Sequence, residues 1–137
     1  MGGIYLKKEH YLFDTHALIF WSTREFVSDE FIDFFDEQMK QGYVLVSSIS
    51  FWETALLAKK GKIQIGDIHE WKSGLSENTR IRIIDPTASE MIDSVFLPNC
   101  HKDPFDRLLI AQANRYHAMF VTKDEKIKDY EVEIFWI

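Results

Sequence analysis

Tyr11-Leu12-Phe13 and Tyr43-Val44-Leu45-Val46 are apolar runs with no room for in–out alternation. The first gives way to Asp14-Thr15 and the apolar-rich stretch His16–Trp21. The second gives way to Ser47-Ser48-Ile49-Ser50-Phe51-Trp52-Glu53. A short buried strand that passes into a helix with almost no loop is the opening of a βα unit. Once a chain repeats that unit, it is committed to a mostly parallel sheet with helices laid on it.

The remaining segments fit the same scheme. Ser28 caps a helix with Asp29 and Glu30 in its first turn, an apolar face of Phe31, Phe35 and Met39, and Gly42 as its stop. Asp67 to about Leu75 forms a short helix on Ile68, Trp71 and Leu75, and Arg80 to Ile84 is a third strand. Thr87 and Glu90 make a capping box for a helix that carries Ala88, Met91, Ile92 and Val95 and closes at Pro98. Asp103 caps the next helix and Pro104 takes its first position. There Asp106 lies in line with Leu109, Ile110 and Ala113 on a 3.6-residue period. Met119-Phe120-Val121 is another strand, and Val132 to Ile137 a last one at the sheet edge. The fold class is therefore α/β with helices on both faces of the sheet. Residues 10–137 form one domain, a normal size for one. Residues 1–9 form an extension whose Met1-Gly2-Gly3 has the look of a tag remnant.

Composition narrows the function. With 46% hydrophobic and 15% aromatic residues the chain can build a core, and its formal net charge of −6 excludes a basic nucleic-acid reader. Cys100 stands alone, which excludes a disulfide framework and a cysteine zinc site. No run reaches membrane-spanning length and no signal core follows Met1, so a cytoplasmic protein without a membrane role is expected.

Four acids stand out against this frame. Asp14 and Asp124 end parallel strands, whereas Glu53 and Asp106 open helices. Strand C-terminal ends and the helix starts that follow share one edge of an open parallel sheet, where ligands bind. Unit charges about 4 Å apart repel by about 4 kcal/mol at an effective dielectric of ~20. Either some of these acids hold protons or a cation sits among them. All-oxygen donors favour Mg²⁺ or Mn²⁺, which leave positions open for phosphate oxygens and activate water. The matching chemistry is phosphodiester hydrolysis. Each acid also has a plainer role: Glu53 as the partner of Ser50 in a capping box, Asp106 as a dipole complement. Thr15, Ser48 and Thr122 read as cap or turn hydroxyls that are also placed to support carboxylates. Arg107 suits a substrate phosphate or a surface acid equally. His16, His101 and His117 lack metal-ligand spacing and read as surface or packing residues. Lys59, Lys60 and Lys62 complement a helix C-terminus, and Trp21, Trp52 and Trp71 read as core.

Tyr11-Leu12-Phe13-Asp14-Thr15-His16, Ser50-Phe51-Trp52-Glu53-Thr54-Ala55 running on to Lys60-Gly61-Lys62-Ile63, Asp103-Pro104-Phe105-Asp106-Arg107-Leu108-Leu109-Ile110-Ala111-Gln112-Ala113, and Val121-Thr122-Lys123-Asp124 together resemble a PIN domain. More narrowly they resemble the VapC-type toxins of bacterial toxin–antitoxin pairs. The resemblance implies a three-layer α/β/α sandwich and a ribonuclease dependent on Mg²⁺ or Mn²⁺, with one or two ions. It puts the family's acidic quartet on Asp14, Glu53, Asp106 and Asp124, with Asp103 a further acid of the narrower group. It also implies an RNA substrate, a VapB-like antitoxin and a homodimer. Two other classes remain open from the residues alone. A phosphatase or phosphoacceptor domain would use Asp14 as nucleophile, although no second acid follows two residues on. A non-catalytic interaction module would use the acids as caps only.

Overall fold

The computed structural model describes residues 9–98, 103–125, 127 and 132–137. The expectations placed on Cys100 and His101 lie outside them. Five strands form the sheet: β1 (Tyr11–Phe13), β2 (Val44–Ser47), β3 (Arg82–Ile84), β4 (Met119–Val121) and β5 (Ile134–Phe135). Their spatial order is β3-β2-β1-β4-β5, and every neighbouring pair is parallel. Six helices are described: α1 (Thr15–Thr23), α2 (Asp29–Lys40), α3 (Ser48–Lys59), α4 (Ile68–Asn78), α5 (Ala88–Val95) and α6 (Pro104–Tyr116).

Alternation along the strands makes the three layers. Tyr11, Phe13, Val44, Val46 and Val121 face one way, into a core with Ala17, Leu18 and Trp21 of α1, Phe31, Phe35 and Met39 of α2, and Leu75 of α4. Leu12, Leu45, Ile84 and Phe120 face the other way, against Leu109, Ile110 and Ala113 of α6. The strands therefore read as continuous apolar runs because both of their faces are buried. On the first face Phe13 meets Phe35 edge to face, ring centroids 4.9 Å apart, a geometry that adds to simple burial.

Several helix boundaries follow from local chemistry. The Ser28 hydroxyl accepts from the Phe31 N–H at 3.0 Å, and the Asp67 carboxylate accepts from the Glu70 N–H at 3.0 Å. Thr87 and Glu90 form the reciprocal capping box, at 2.7 and 3.1 Å. Gly42, at φ +78°, turns the chain from α2 into β2 where a side chain would be strained.

The α5 helix forms with its capping box, but its Met91, Ile92 and Val95 are exposed, and the residue it buries is Glu90. Helical period reveals a stripe of apolar residues and carries no information on whether anything covers it. Among the described residues, no helix is long and apolar enough to cross a membrane.

Candidate active site

The strand order decides where a ligand can bind. From β1 the chain steps outward to β2 and β3, then returns to the other side of β1 as β4. The switch point thus lies between the C-terminal ends of β1 and β4, the usual crevice of an open α/β sheet. Asp14 is the residue after β1 and Thr122 the residue after β4. The Asp14 N–H donates to the Val121 carbonyl at 3.0 Å, which ties the two ends together. Asp14 also caps α1, its Oδ1 accepting from the Ala17 N–H at 2.7 Å. Thr122 is buried and accepts from the Asp124 N–H at 3.0 Å, which fixes the turn that presents Asp124.

The helices bring in the other acids. Asp103 caps α6, its Oδ1 accepting from the Phe105 N–H at 2.9 Å, with Pro104 leading the helix and Asp106 in the first turn. Glu53 does not open its helix. The cap of α3 is Ser47, whose hydroxyl accepts from the Ile49 N–H at 3.3 Å, so Glu53 stands in the second turn. The Ser50–Glu53 capping box is therefore not formed. Ser50 is buried instead, and the Thr15 hydroxyl donates to it at 3.1 Å, joining α1 to α3 beneath the acids. Ser48 is the first helical residue of α3 and is half-buried.

Electrostatics shows that the acids converge. Burial raises the pKa of Asp106 to about 8, and the charges of Asp103, Asp14, Glu53 and Asp124 add to the rise. Burial likewise raises Asp14 to about 6, against the pull of Thr122, the Ala17 N–H and His16. The Glu53 carboxyl is raised by burial, helped by Asp103 and opposed by Thr15 and His16. Three acids distant in sequence, Asp14, Glu53 and Asp124, therefore act on the Asp106 carboxyl, with nearby Asp103 as a fourth.

The carboxylates fit a hard divalent cation. Glu53 Oε1 is buried and has no hydrogen-bond partner, which leaves it available as a donor to an ion or an ordered water. Among the described residues, no group of three or more His, Cys, Asp or Glu is gathered into a ready-made metal cage. A cavity of about 240 Å³ is lined by Asp14, His16, Phe20, Lys123, Asp124 and Trp136. His16 and Phe20 also border a larger groove that contains none of the four acids. His16 is on the surface, one of the two roles its spacing left open, yet it and Lys123 are the basic side chains described in the acidic cavity. Their nearness to Asp14 and Asp124 in sequence was the available signal.

Arg107 sits elsewhere. Its guanidinium is buried and donates to the carbonyls of Ser94 (3.0 Å), Val95 (3.1 Å), Leu97 (2.6 Å) and Pro98 (2.8 Å). It caps the C-terminal end of α5, and the phosphate contact considered for it gives way to that role. Trp21 is in the core and Trp71 half-buried, but Trp52 is exposed.

A sequence profile described as "PIN domain" matches residues 11–133, nearly the whole chain. The chain belongs to the PIN-domain family. A relative of this PIN domain, "Ribonuclease VapC22" of Mycobacterium tuberculosis (strain ATCC 25618 / H37Rv), is 30% identical over 125 residues, covering 87% of this chain and 90% of the relative. Among solved structures, VapBC2 from Rickettsia felis bound to a promoter DNA fragment matches with a TM-score of 0.70 at 19% identity, over 93% of this chain and 98% of that one. FitAcB from Neisseria gonorrhoeae matches at TM-score 0.61 and 17% identity, over 91% and 96% of the two chains. At these identities the structures speak for the fold, which is the PIN arrangement of a five-stranded parallel sheet between helices.

Proposed function

We infer that this PIN domain is an endoribonuclease dependent on Mg²⁺ or Mn²⁺, the toxin of a toxin–antitoxin pair. The observation that carries the reading is that Asp14, Glu53 and Asp124 all act on the carboxyl of Asp106, which burial first and these charges second raise to about 8. Carboxylates buried together in this way favour a cation among them. The relative named as a ribonuclease supports RNA as substrate, and the structural matches named for antitoxin complexes support a VapB-like partner.

The four carboxylates would hold one or two ions. A divalent ion bound there supplies charge neutralisation at a phosphodiester and lowers the pKa of nearby water. Asp14 is kept rigid by the Ala17 N–H and Thr122. Glu53, with its free Oε1, is suited to accept a proton from the attacking water. Lys123 offers positive charge to the phosphate from the same cavity, where His16 stands beside it. Thr15 and Thr122 orient carboxylates, while Asp103 adds charge from the rim and caps α6. We further assign a second copy of the chain to the exposed apolar face of α5.

The test is Asp14→Asn. The purified variant is expected to keep its circular dichroism spectrum, lose RNA cleavage by at least about a hundredfold, and lose the heat of Mn²⁺ binding seen with the parent. Cleavage at the parental rate, with contaminating nuclease excluded, overturns the reading. Turnover of a small phosphomonoester in place of RNA favours the phosphatase class.

A further inference from the structure

We propose that Trp52, backed by Phe105, is a stacking platform for an unpaired base of the RNA, outside the acidic cleft. The proposal rests on the ribonuclease reading. Trp52 is 62% exposed, an unusual state for so large an apolar side chain. The other tryptophans are engaged by the fold. Trp21 Nε1 donates to Asp36 at 3.0 Å, Trp71 Nε1 donates to Ser22 at 3.0 Å, and Trp136 packs on Phe31 with ring centroids 4.7 Å apart. Trp52 instead meets Phe105 edge to face, with centroids 5.1 Å apart and planes at 71°.

The position of this pair is specific. Trp52 immediately precedes Glu53 on α3, and Phe105 immediately precedes Asp106 on α6. Their contact joins the two helices that supply half of the acidic cluster. Successive residues on a helix point about 100° apart. Glu53 Oε1 is buried, so the exposed ring of its neighbour Trp52 faces another direction, out to solvent beside the cluster.

Charge explains the need for such a surface. The chain carries a net −6, and among the described residues the basic side chains lining the acidic cavity are His16 and Lys123. Affinity from phosphate neutralisation scales with the number of cations engaged, which an acidic chain supplies less readily. Stacking on an aromatic ring is independent of net charge and accepts any base. Bases within a duplex are already stacked on one another, so a protein platform selects loops, bulges and single strands. The substrate class that follows is RNA with unpaired nucleotides flanking the scissile phosphate.

The experiment uses the full chain with Mg²⁺, a short unstructured RNA and the perfect duplex of the same sequence. Binding is read by fluorescence anisotropy in the Asp14→Asn background, alone and combined with Trp52→Ala or Trp52→Phe. Kinetics are read for Trp52→Ala and Trp52→Phe in the otherwise parental chain. Trp52→Ala is expected to weaken single-strand binding and raise KM about tenfold, with kcat within about twofold. Trp52→Phe is expected to restore most of both, and the duplex to bind weakly whichever residue is present. Unchanged single-strand affinity in Trp52→Ala overturns the platform, as does a loss confined to kcat, which marks a residue that only positions Glu53. Unchanged RNA affinity with an altered oligomeric mass also overturns it and marks a protein contact. If Trp52→Ala does not fold, Phe105→Leu carries the same expectation for KM. Should the parent bind single strands through Trp52 and cut none, the nuclease reading fails and the platform stands. Should it cut RNA with KM indifferent to Trp52, the platform fails and the nuclease stands.

Discussion

Asp106 is the residue in which the site's electrostatic strain is most concentrated. Its folded pKa, about 8, lies far above the ordinary aspartate value of 3.8. A carboxyl group raised on folding stabilises the protein at pH values below its unfolded pKa. That contribution is lost as pH rises through the folded value. Between pH 6 and 8 the loss belongs mainly to Asp106, because Asp14 titrates near 6. The metal-free protein is expected to lose about 3 °C or more of melting temperature across this window. Asp106→Asn should flatten the slope and melt higher than the parent at pH 8, while failing to cleave RNA. Added Mg²⁺ should restore the parent at pH 8 and leave the variant unmoved. Melting curves in EDTA and in Mg²⁺ check all three outcomes, and a parental slope in the variant would assign the strain elsewhere.

Among the elements, α5 and α6 show what the chain discloses locally and what it conceals. The starts of α2, α4, α5 and α6 are legible because each cap acts on N–H groups two or three residues on, so the signal and its partner lie in one window. The start of α3 is not, since Ser47, Ser48 and Ser50 all offer cap hydroxyls and packing against Thr15 chose among them. The acids Asp14 and Asp106 stand where the strand end and helix start placed them, whereas Glu53 stands one turn further into α3 than its spacing from Ser50 suggested. The role of Arg107 was not legible, because its acceptors lie 9 to 13 residues back and are main-chain carbonyls without a side-chain signature. Its guanidinium satisfies the C-terminal carbonyls of α5, which otherwise lack partners within the helix. Arg107→Ala is expected to destabilise the fold by about 3 kcal/mol in urea denaturation. Arg107→Lys should recover little, for one ammonium group cannot span four carbonyls. A variant of full stability with a raised KM for RNA would return Arg107 to the substrate.

On the scale of the whole molecule, α5 presents a run of exposed apolar side chains within a single helix and its cap. Met91, Ile92, Val95 and Phe96 project from α5 and its C-cap, with Phe96 81% exposed. Contiguous apolar patches of this kind mark protein contacts. Ile92→Asp combined with Val95→Asp is expected to halve the mass measured by light scattering, from dimer to monomer, without loss of helix content. An unchanged mass would remove α5 from the interface. The site itself depends on the middle of the sheet. β1 is flanked by β2 on one side and β4 on the other, so the main chain leading into Asp14 is shielded from the fraying that begins at β3 and β5. Amide protons there should be among the last to exchange with solvent. A molecule so built keeps its acids assembled even while its margins breathe, and on the reading proposed above an inhibitor would work by covering the cluster rather than by loosening it.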